Sequence, residues 1–178
     1  MYRLIIADDE VNIRRGLVQH ISWEDMGFCV VDQFEDGKDV INYMMTNKEV
    51  DVILTDVQMF EVSGLEVAKW ISEHNPLIKV VILSGYKEFD YVKEALGANV
   101  CDYLLKPLQK EELEKVFQKI KRELDEKKDK MMLEISDFFS YWKSEKCREV
   151  ISCATELVEC ICAGKIDRIC FREYRIRS

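Results

Sequence analysis

Four apolar runs of this chain each end on side chains that can do chemistry. Leu4-Ile5-Ile6-Ala7 leads into Asp8-Asp9, and Val52-Ile53-Leu54-Thr55 leads into Asp56. Val80-Val81-Ile82-Leu83 ends on Ser84, and Tyr103-Leu104-Leu105 on Lys106. Asp8, Asp9 and Asp56, once brought together, would repel one another unless a cation lay between them. Oxygen donors with room left for water suit Mg2+, with a phosphate as the remaining ligand. A serine and a lysine across the site can hold two oxygens of that phosphate, which leaves one aspartate as acceptor. Asp56, on the central run, is the better nucleophile, and Asp8-Asp9 are the better metal ligands. The reaction class is phosphoryl transfer onto a carboxylate, promoted by positioning and charge neutralisation.

Each residue alone has an ordinary structural reading. An aspartate after a strand commonly caps a turn or helix, and Asp8-Asp9-Glu10 ahead of a helix would complement its dipole. Ser84-Gly85 is an ordinary turn pair. Mutually complementary groups at four strand ends are much harder to obtain by accident.

The elements that carry these residues follow from hydrophobic period. Runs such as Val52-Ile53-Leu54, apolar without alternation, read as strands covered on both faces. Strands are expected over 3–7, 28–31, within 51–56 around Val52-Ile53-Leu54, 79–83 and 101–105. Helical spacing follows at Val11 to Ile21, from Val40 to Met45 after a turn at Asp36-Gly37-Lys38, and from Gly64 to Asn75-Pro76. A further helix bears Phe89, Tyr91, Val92, Ala95 and Leu96. A long amphipathic helix carries Leu113, Val116, Phe117, Ile120 and Leu124 on one face, with Glu111–Lys115 and Glu123–Lys127 pairs on the other. Five strand–helix repeats mean an α/β fold, a parallel sheet with helices on both faces and right-handed crossovers. In such sheets ligands bind outside the carboxyl ends of the strands.

Composition narrows the setting. The 178 residues are 48% hydrophobic and 34% charged with two prolines, which suits a well-packed protein with room for one domain and an appendage. No run approaches the roughly 20 apolar residues of a membrane helix. Met1-Tyr2-Arg3 runs straight into a strand without a signal peptide, so a cytoplasmic location is expected. The net charge of −8 falls entirely within residues 1–130, which argues against nucleic-acid binding by that part alone. Seven cysteines, five of them between Cys147 and Cys170, form no C-x-x-C pair and read as reduced, small apolar residues. Asp125 to Lys130 is a charged stretch marking a boundary. Beyond it Met131, Ile135, Phe138, Phe139 and Trp142 keep a helical period. So do Val150 to Ile161, after a break at Lys143–Lys146 and up to a glycine cap at Gly164. That stripe must be buried against itself or against a second chain.

Over residues 1–124 the sequence resembles the receiver domain of two-component response regulators, the CheY-like family. The resemblance lies in Ile5-Ile6-Ala7-Asp8-Asp9-Glu10, Asp51 to Met59, Val81-Ile82-Leu83-Ser84-Gly85 and Asp102-Tyr103-Leu104-Leu105-Lys106-Pro107. Ser84 to Tyr91 and Ile21-Ser22-Trp23-Glu24 further resemble receivers that precede AraC-type (YesN-like) DNA-binding domains. The resemblance implies a flavodoxin-like, doubly wound five-stranded sheet of order 2-1-3-4-5, followed here by a C-terminal helical extension. It implies Asp56 as phosphoacceptor and Mg2+ on Asp9, Asp56 and the Gln58 backbone carbonyl, with Asp8 acting through water. Ser84 and Lys106 would contact the phosphoryl oxygens, Tyr103 would be the switching aromatic, and Lys106–Pro107 would be cis. Gln58 and Tyr86 match positions that tune the lifetime of the phosphate. The partner implied is a sensor histidine kinase.

Phe60 stands where family members usually have Pro, and Asn99 where they usually have Gly. Residues 125–130 read as a helical linker and 131–178 as an inter-domain connector, too short for two helix-turn-helix units. The leading expectation is a phosphorylation-controlled switch in transcriptional control rather than an enzyme acting on a substrate. Its output would be homodimerisation, through the receiver face bearing Lys87 and Tyr91 or through the tail, or partner binding. DNA binding would need an output domain outside this chain. Competing readings are an Mg2+-dependent phosphatase with an aspartyl-phosphate intermediate, a tail-borne DNA binder and an interaction module that ignores phosphate. The phosphatase is disfavoured because its fold wants a D-x-D pair on the first strand.

Overall fold

A strand packed by helices on both faces has no polar side, and the middle strands of this chain are of that kind. The computed structural model describes residues 1–47, 49–85 and 100–144. In it β1 (Tyr2–Ala7), β3 (Val52–Asp56) and β4 (Lys79–Ser84) form the centre of a five-stranded sheet. β2 (Phe28–Phe34) and β5 (Val100–Leu105) are its edges. The order is β2-β1-β3-β4-β5 and every pairing is parallel, the flavodoxin-like topology. Chain order reverses beside β1, which makes the β1–β3 edge the switch point of the sheet.

Alternate residues of each central strand enter opposite layers. Leu4, Ile6, Val52, Leu54, Val81 and Leu83 meet Leu17 of α1 (Val11–His20) and Leu113, Phe117 and Ile120 of α4 (Lys110–Ser144). Ile5, Ile53, Val80 and Ile82 meet Val40 and Met44 of α2 (Gly37–Thr46) and Val67, Ala68 and Ile71 of α3 (Gly64–His74). Each Val, Leu, Ile, Phe or Met among them contributes about 1.5–3 kcal/mol on full burial. Phe117 packs edge-on against Trp23 and Phe28, with ring centroids 4.7 and 5.1 Å apart. The Trp23 indole N–H donates to the Leu17 carbonyl at 2.7 Å, so its one polar atom is satisfied.

Two elements differ from the reading of the sequence. β2 runs to Phe34 instead of stopping at Val31, because it is an edge strand. Asp32 and Gln33 pair with Ile5 and Ile6 through their backbones while remaining exposed, so the segment carries no apolar run. Asp36-Gly37-Lys38 is not a separate turn. Asp36 is the N-cap of α2, accepting from the Lys38 N–H at 2.8 Å, and Gly37 is its first helical residue.

The chain divides into two compact units, Met1–Glu126 and Lys127–Ser178. The charged stretch from Asp125 to Lys130 lies inside α4, with Glu126 to Lys130 exposed. Lys143 and Ser144 are still helical, so the break expected at Lys143–Lys146 does not begin before Glu145. The rest of the expected tail lies outside the described residues, including Val150–Ile161, Gly164 and the five cysteines. So do the helix over 89–96, Tyr86, Lys87, Tyr91 and Asn99. Cys29 and Cys101 are free thiols. No helix among the described residues is long and apolar enough to cross a membrane.

Candidate functional site

Parallel strands send all their carboxyl ends to one edge, and the register aligns those ends. Ala7 pairs with Thr55, Asp56 with Leu83, and Ser84 with Leu105. Asp8, Asp56, Ser84 and Lys106 therefore emerge side by side. Asp8, Asp56 and Ser84 are buried, while Asp9 is exposed at the rim. Carboxylate oxygens of Asp8, Asp9 and Asp56 all lie within 4.8 Å of one another.

Lys106 is the cation among them. Its Nζ donates to Asp56 Oδ2 at 2.7 Å and lies 2.9 Å from Asp8 Oδ2 and 3.5 Å from Glu10 Oε1. Asp8 Oδ2 is buried, and the Lys106 ammonium is the one cation it meets among the described residues. Asp8 Oδ1 accepts from the Glu10 N–H at 2.9 Å. Burial pushes the Asp8 and Asp56 carboxyls above their ordinary value, and hydrogen bonding and charge from Lys106 only partly offset it. Burial lowers Lys106 in turn, but bonds and charge from Asp56 and Asp8 prevail and hold it above its ordinary value. The site is short of positive charge. Hard oxygen donors of three carboxylates crowded around a single ammonium fit a divalent cation such as Mg2+.

The surrounding backbone fixes these positions. The Arg14 guanidinium donates to the Asp8 carbonyl, Lys106 N–H to the Ser84 carbonyl at 2.8 Å, and Val57 N–H to the Leu83 carbonyl at 2.9 Å. The Lys106–Pro107 bond is cis. Gly64 donates to the Val57 carbonyl at 3.0 Å and packs so closely that a Cβ there would overlap the Asp56 carbonyl. Only glycine lets α3 start against the end of β3.

The structure thus brings Asp8, Asp9, Asp56 and Lys106 together. Ser84 stands at the same edge, but its hydroxyl donates to the Gly85 carbonyl at 3.0 Å. Gln58 is exposed in the loop after β3. Tyr103 is half-buried on β5 against the α2–α3 layer, and burial raises its hydroxyl. Two residues were not singled out from the sequence. Glu10 turns back onto Lys106 through the bend that Asp8 Oδ1 closes, and adjacency to Asp8-Asp9 was its only signal. Asp36 binds the loop after Asp56, for which its reading as part of a turn gave no hint.

Residues 4–118 match the response regulator receiver domain family. The chain is 34% identical over 127 residues to the uncharacterized transcriptional regulatory protein YesN of Bacillus subtilis, covering 69% of this chain and 34% of that protein. It is 32% identical over 124 residues to the transcriptional regulatory protein HptR of Staphylococcus aureus, covering 70% and 48%. The match therefore spans a third to a half of these relatives. Among solved structures, the REC domain of the response regulator AraT from Geobacillus stearothermophilus superposes with a TM-score of 0.66 at 35% identity. That match covers 71% of this chain and 97% of the other. A two-component transcriptional regulator AraC from Clostridium phytofermentans superposes with a TM-score of 0.63 at 30% identity, covering 68% and 94%.

Proposed function

This chain belongs to the response regulator receiver family, and we propose that Asp56 is its phosphoacceptor, taking the phosphoryl group from a histidine kinase. Receivers are generally signalling modules rather than enzymes, and this one is read as the input half of a transcriptional regulator acting in the cytoplasm. The observation that carries the reading is Lys106 Nζ poised between Asp56 and Asp8, 2.7 and 2.9 Å away, at the switch point of the sheet.

A carboxylate oxygen of Asp56 forms the new P–O bond as the P–N bond of the donor phosphohistidine breaks, its electron pair returning to the imidazole. Asp9, Asp56 and the Gln58 carbonyl would hold Mg2+, and Asp8 would act through water. The ion would supply neutralisation of the phosphoryl charge. Lys106 moves its hydrogen bond from the Asp56 oxygen to a phosphoryl oxygen, the stronger charge-assisted contact. Ser84 turns its hydroxyl from the Gly85 carbonyl to a second phosphoryl oxygen, and Tyr103 follows inward. The apolar groove of Ile13, Leu17, Ile21 and Leu108 beside Lys106 offers a donor helix a place to rest. Residues 1–124 act as the receiver, 125–130 as a helical linker and 131–178 as a connector. The output is dimerisation or partner binding, through the receiver or the tail.

Incubation with a small-molecule phosphodonor and Mg2+ tests the assignment. Wild-type protein should gain one phosphoryl group by intact mass, and Asp56→Asn none while keeping its circular dichroism spectrum. Labelling of Asp56→Asn at the wild-type rate rejects it.

A further inference from the structure

At the end of the sheet opposite the acids, side chains tie the strands to the turns of α4 that precede its exit from the receiver. The Tyr2 hydroxyl, at the start of β1, donates to Asp125 Oδ1 at 2.7 Å. Lys79 Nζ, at the start of β4, donates to Glu123 Oε2 at 2.6 Å. A third tie, from Lys119 to Asp102 on the edge strand β5, has its lysine side chain 49% exposed and adds little. β1 leads into Asp8 and Asp9, and β4 ends on Ser84. These two strands flank β3, the strand that ends on Asp56. Each is six residues long and spans about 17 Å. Both pair on two sides, and Leu4–Ala7 and Val80–Ser84 are buried. Packed interiors of this kind compress little and transmit displacement.

The ties sit where α4 leaves the first compact unit. Leu124 is buried, that unit ends at Glu126, and Glu126 to Lys130 are exposed. The helix itself continues to Ser144. Lys121 also meets Asp125, at 2.6 Å, but that pair lies one turn apart and binds the helix to itself.

We propose that Tyr2–Asp125 and Lys79–Glu123 form a coupling clamp, through which a cation and phosphoryl group at the acid site tighten the exit turn of α4. This rests on the reading of Asp56 as phosphoacceptor and deepens it by naming the route to the linker. Asp8, Asp9 and Asp56 repel one another, and neutralising them lets β1, β3 and β4 draw together at that edge. Because β1 and β4 are tied to α4 at their other ends, the movement reaches Asp125 and Glu123. Coupling over such a span travels through rigid elements and hydrogen-bond networks.

Hydrogen exchange on the full chain tests the clamp, with and without Mg2+ and beryllofluoride, a mimic of the phosphoryl group. In wild type the amides from Lys121 to Lys130 should exchange about fivefold more slowly with the mimic bound. Tyr2→Phe keeps the ring and Glu123→Gln keeps a good helix former. The double variant should take up beryllofluoride as wild type does, by fluorine NMR, yet lose the slowing. If it does not fold, Tyr2→Phe alone is judged by the same criterion. Lys121→Met leaves the Tyr2 tie in place and should keep the slowing. The readout is the change made by the ligand, which a contact that merely stabilises α4 would leave intact. Three outcomes overturn the proposal: wild type binds the mimic without slowing, the clamp variant slows like wild type, or Lys121→Met loses the slowing as fully. Asp56→Asn keeps the two readings apart. If it takes up beryllofluoride like wild type, Asp56 is not the acceptor and the clamp proposal falls with that reading. If its uptake is lost while wild type binds without slowing, the clamp alone fails.

Discussion

Asp36 and Asp8 are both buried carboxylates just past the end of a strand, yet they are served in opposite ways. Asp36 takes backbone N–H groups on both oxygens, from Lys38, Glu61 and Val62. Asp8 receives one backbone N–H on Oδ1, and its Oδ2 shares the Lys106 ammonium with Asp56 and Glu10. A carboxylate fully satisfied by its own chain is part of the scaffold. One left short of donors, beside others in the same state, is ready for a ligand the chain does not supply. The contrast marks out where a cation and a phosphoryl group would be welcomed.

Gly64→Ala should break the contrast most severely, because its Cβ would overlap the Asp56 carbonyl and shift Asp56, the proposed acceptor. Urea unfolding should show a loss of about 3 kcal/mol, with phosphodonor labelling reduced in parallel. A variant with wild-type stability and labelling would mean that the β3–α3 junction is looser than described.

Lys106→Met removes the cation that the acids share. Its side chain is 18% exposed, so the loss in EDTA at neutral pH should be about 2 kcal/mol, below that of a fully buried pair. Saturating Mg2+ should recover part of it. Equal losses with and without Mg2+ would show that charge shortage is not what distinguishes this site.

A smaller effect concerns pH. Burial raises Asp8 and Asp56 in the folded state above their unfolded values, so their ionisation works against folding. That penalty is fully present above the folded pKa and disappears as pH falls towards the unfolded one. In EDTA, mild acidification just above the ordinary carboxylate range should therefore stabilise wild type relative to Asp8→Asn. Parallel pH profiles would remove electrostatic crowding from the account.

The mildest test is Ser63→Ala. Ser63 and Glu66 form a reciprocal capping box on α3, and its loss should cost about 1 kcal/mol. Mg2+ affinity should not change, since this cap holds neither Gln58 nor an acid of the site. A weakened affinity would show that the α3 cap, and not the shortage of donors at the acids alone, governs cation binding.

Particular residues show how far the chain could be read from its letters. Val52 to Leu54 and Val80 to Leu83 announced themselves because two-sided burial erases polar alternation. The end of β2 at Asp32 and Gln33 did not, since an edge strand keeps exposed polar side chains while its backbone pairs. The capping box of Ser63 and Glu66 was not among the sequence expectations, which began that helix at Gly64, although its spacing is a local signal. Nothing local in Asp36 pointed to Glu61, 25 positions away in the chain.

What the sequence by itself determined was the set of strands, the identity of Asp8, Asp9, Asp56, Ser84 and Lys106 at their ends, and the chemistry such groups can share. These follow from short-range periodicity and from residue type, which are written in the chain. Only the tertiary structure decided that one ammonium would span Asp56 and Asp8, that Glu10 would join them, and that Asp36 would bind the loop after Asp56. Each of those contacts depends on how strands and helices dock, and a hydrogen bond between distant residues leaves no period in the sequence to be read.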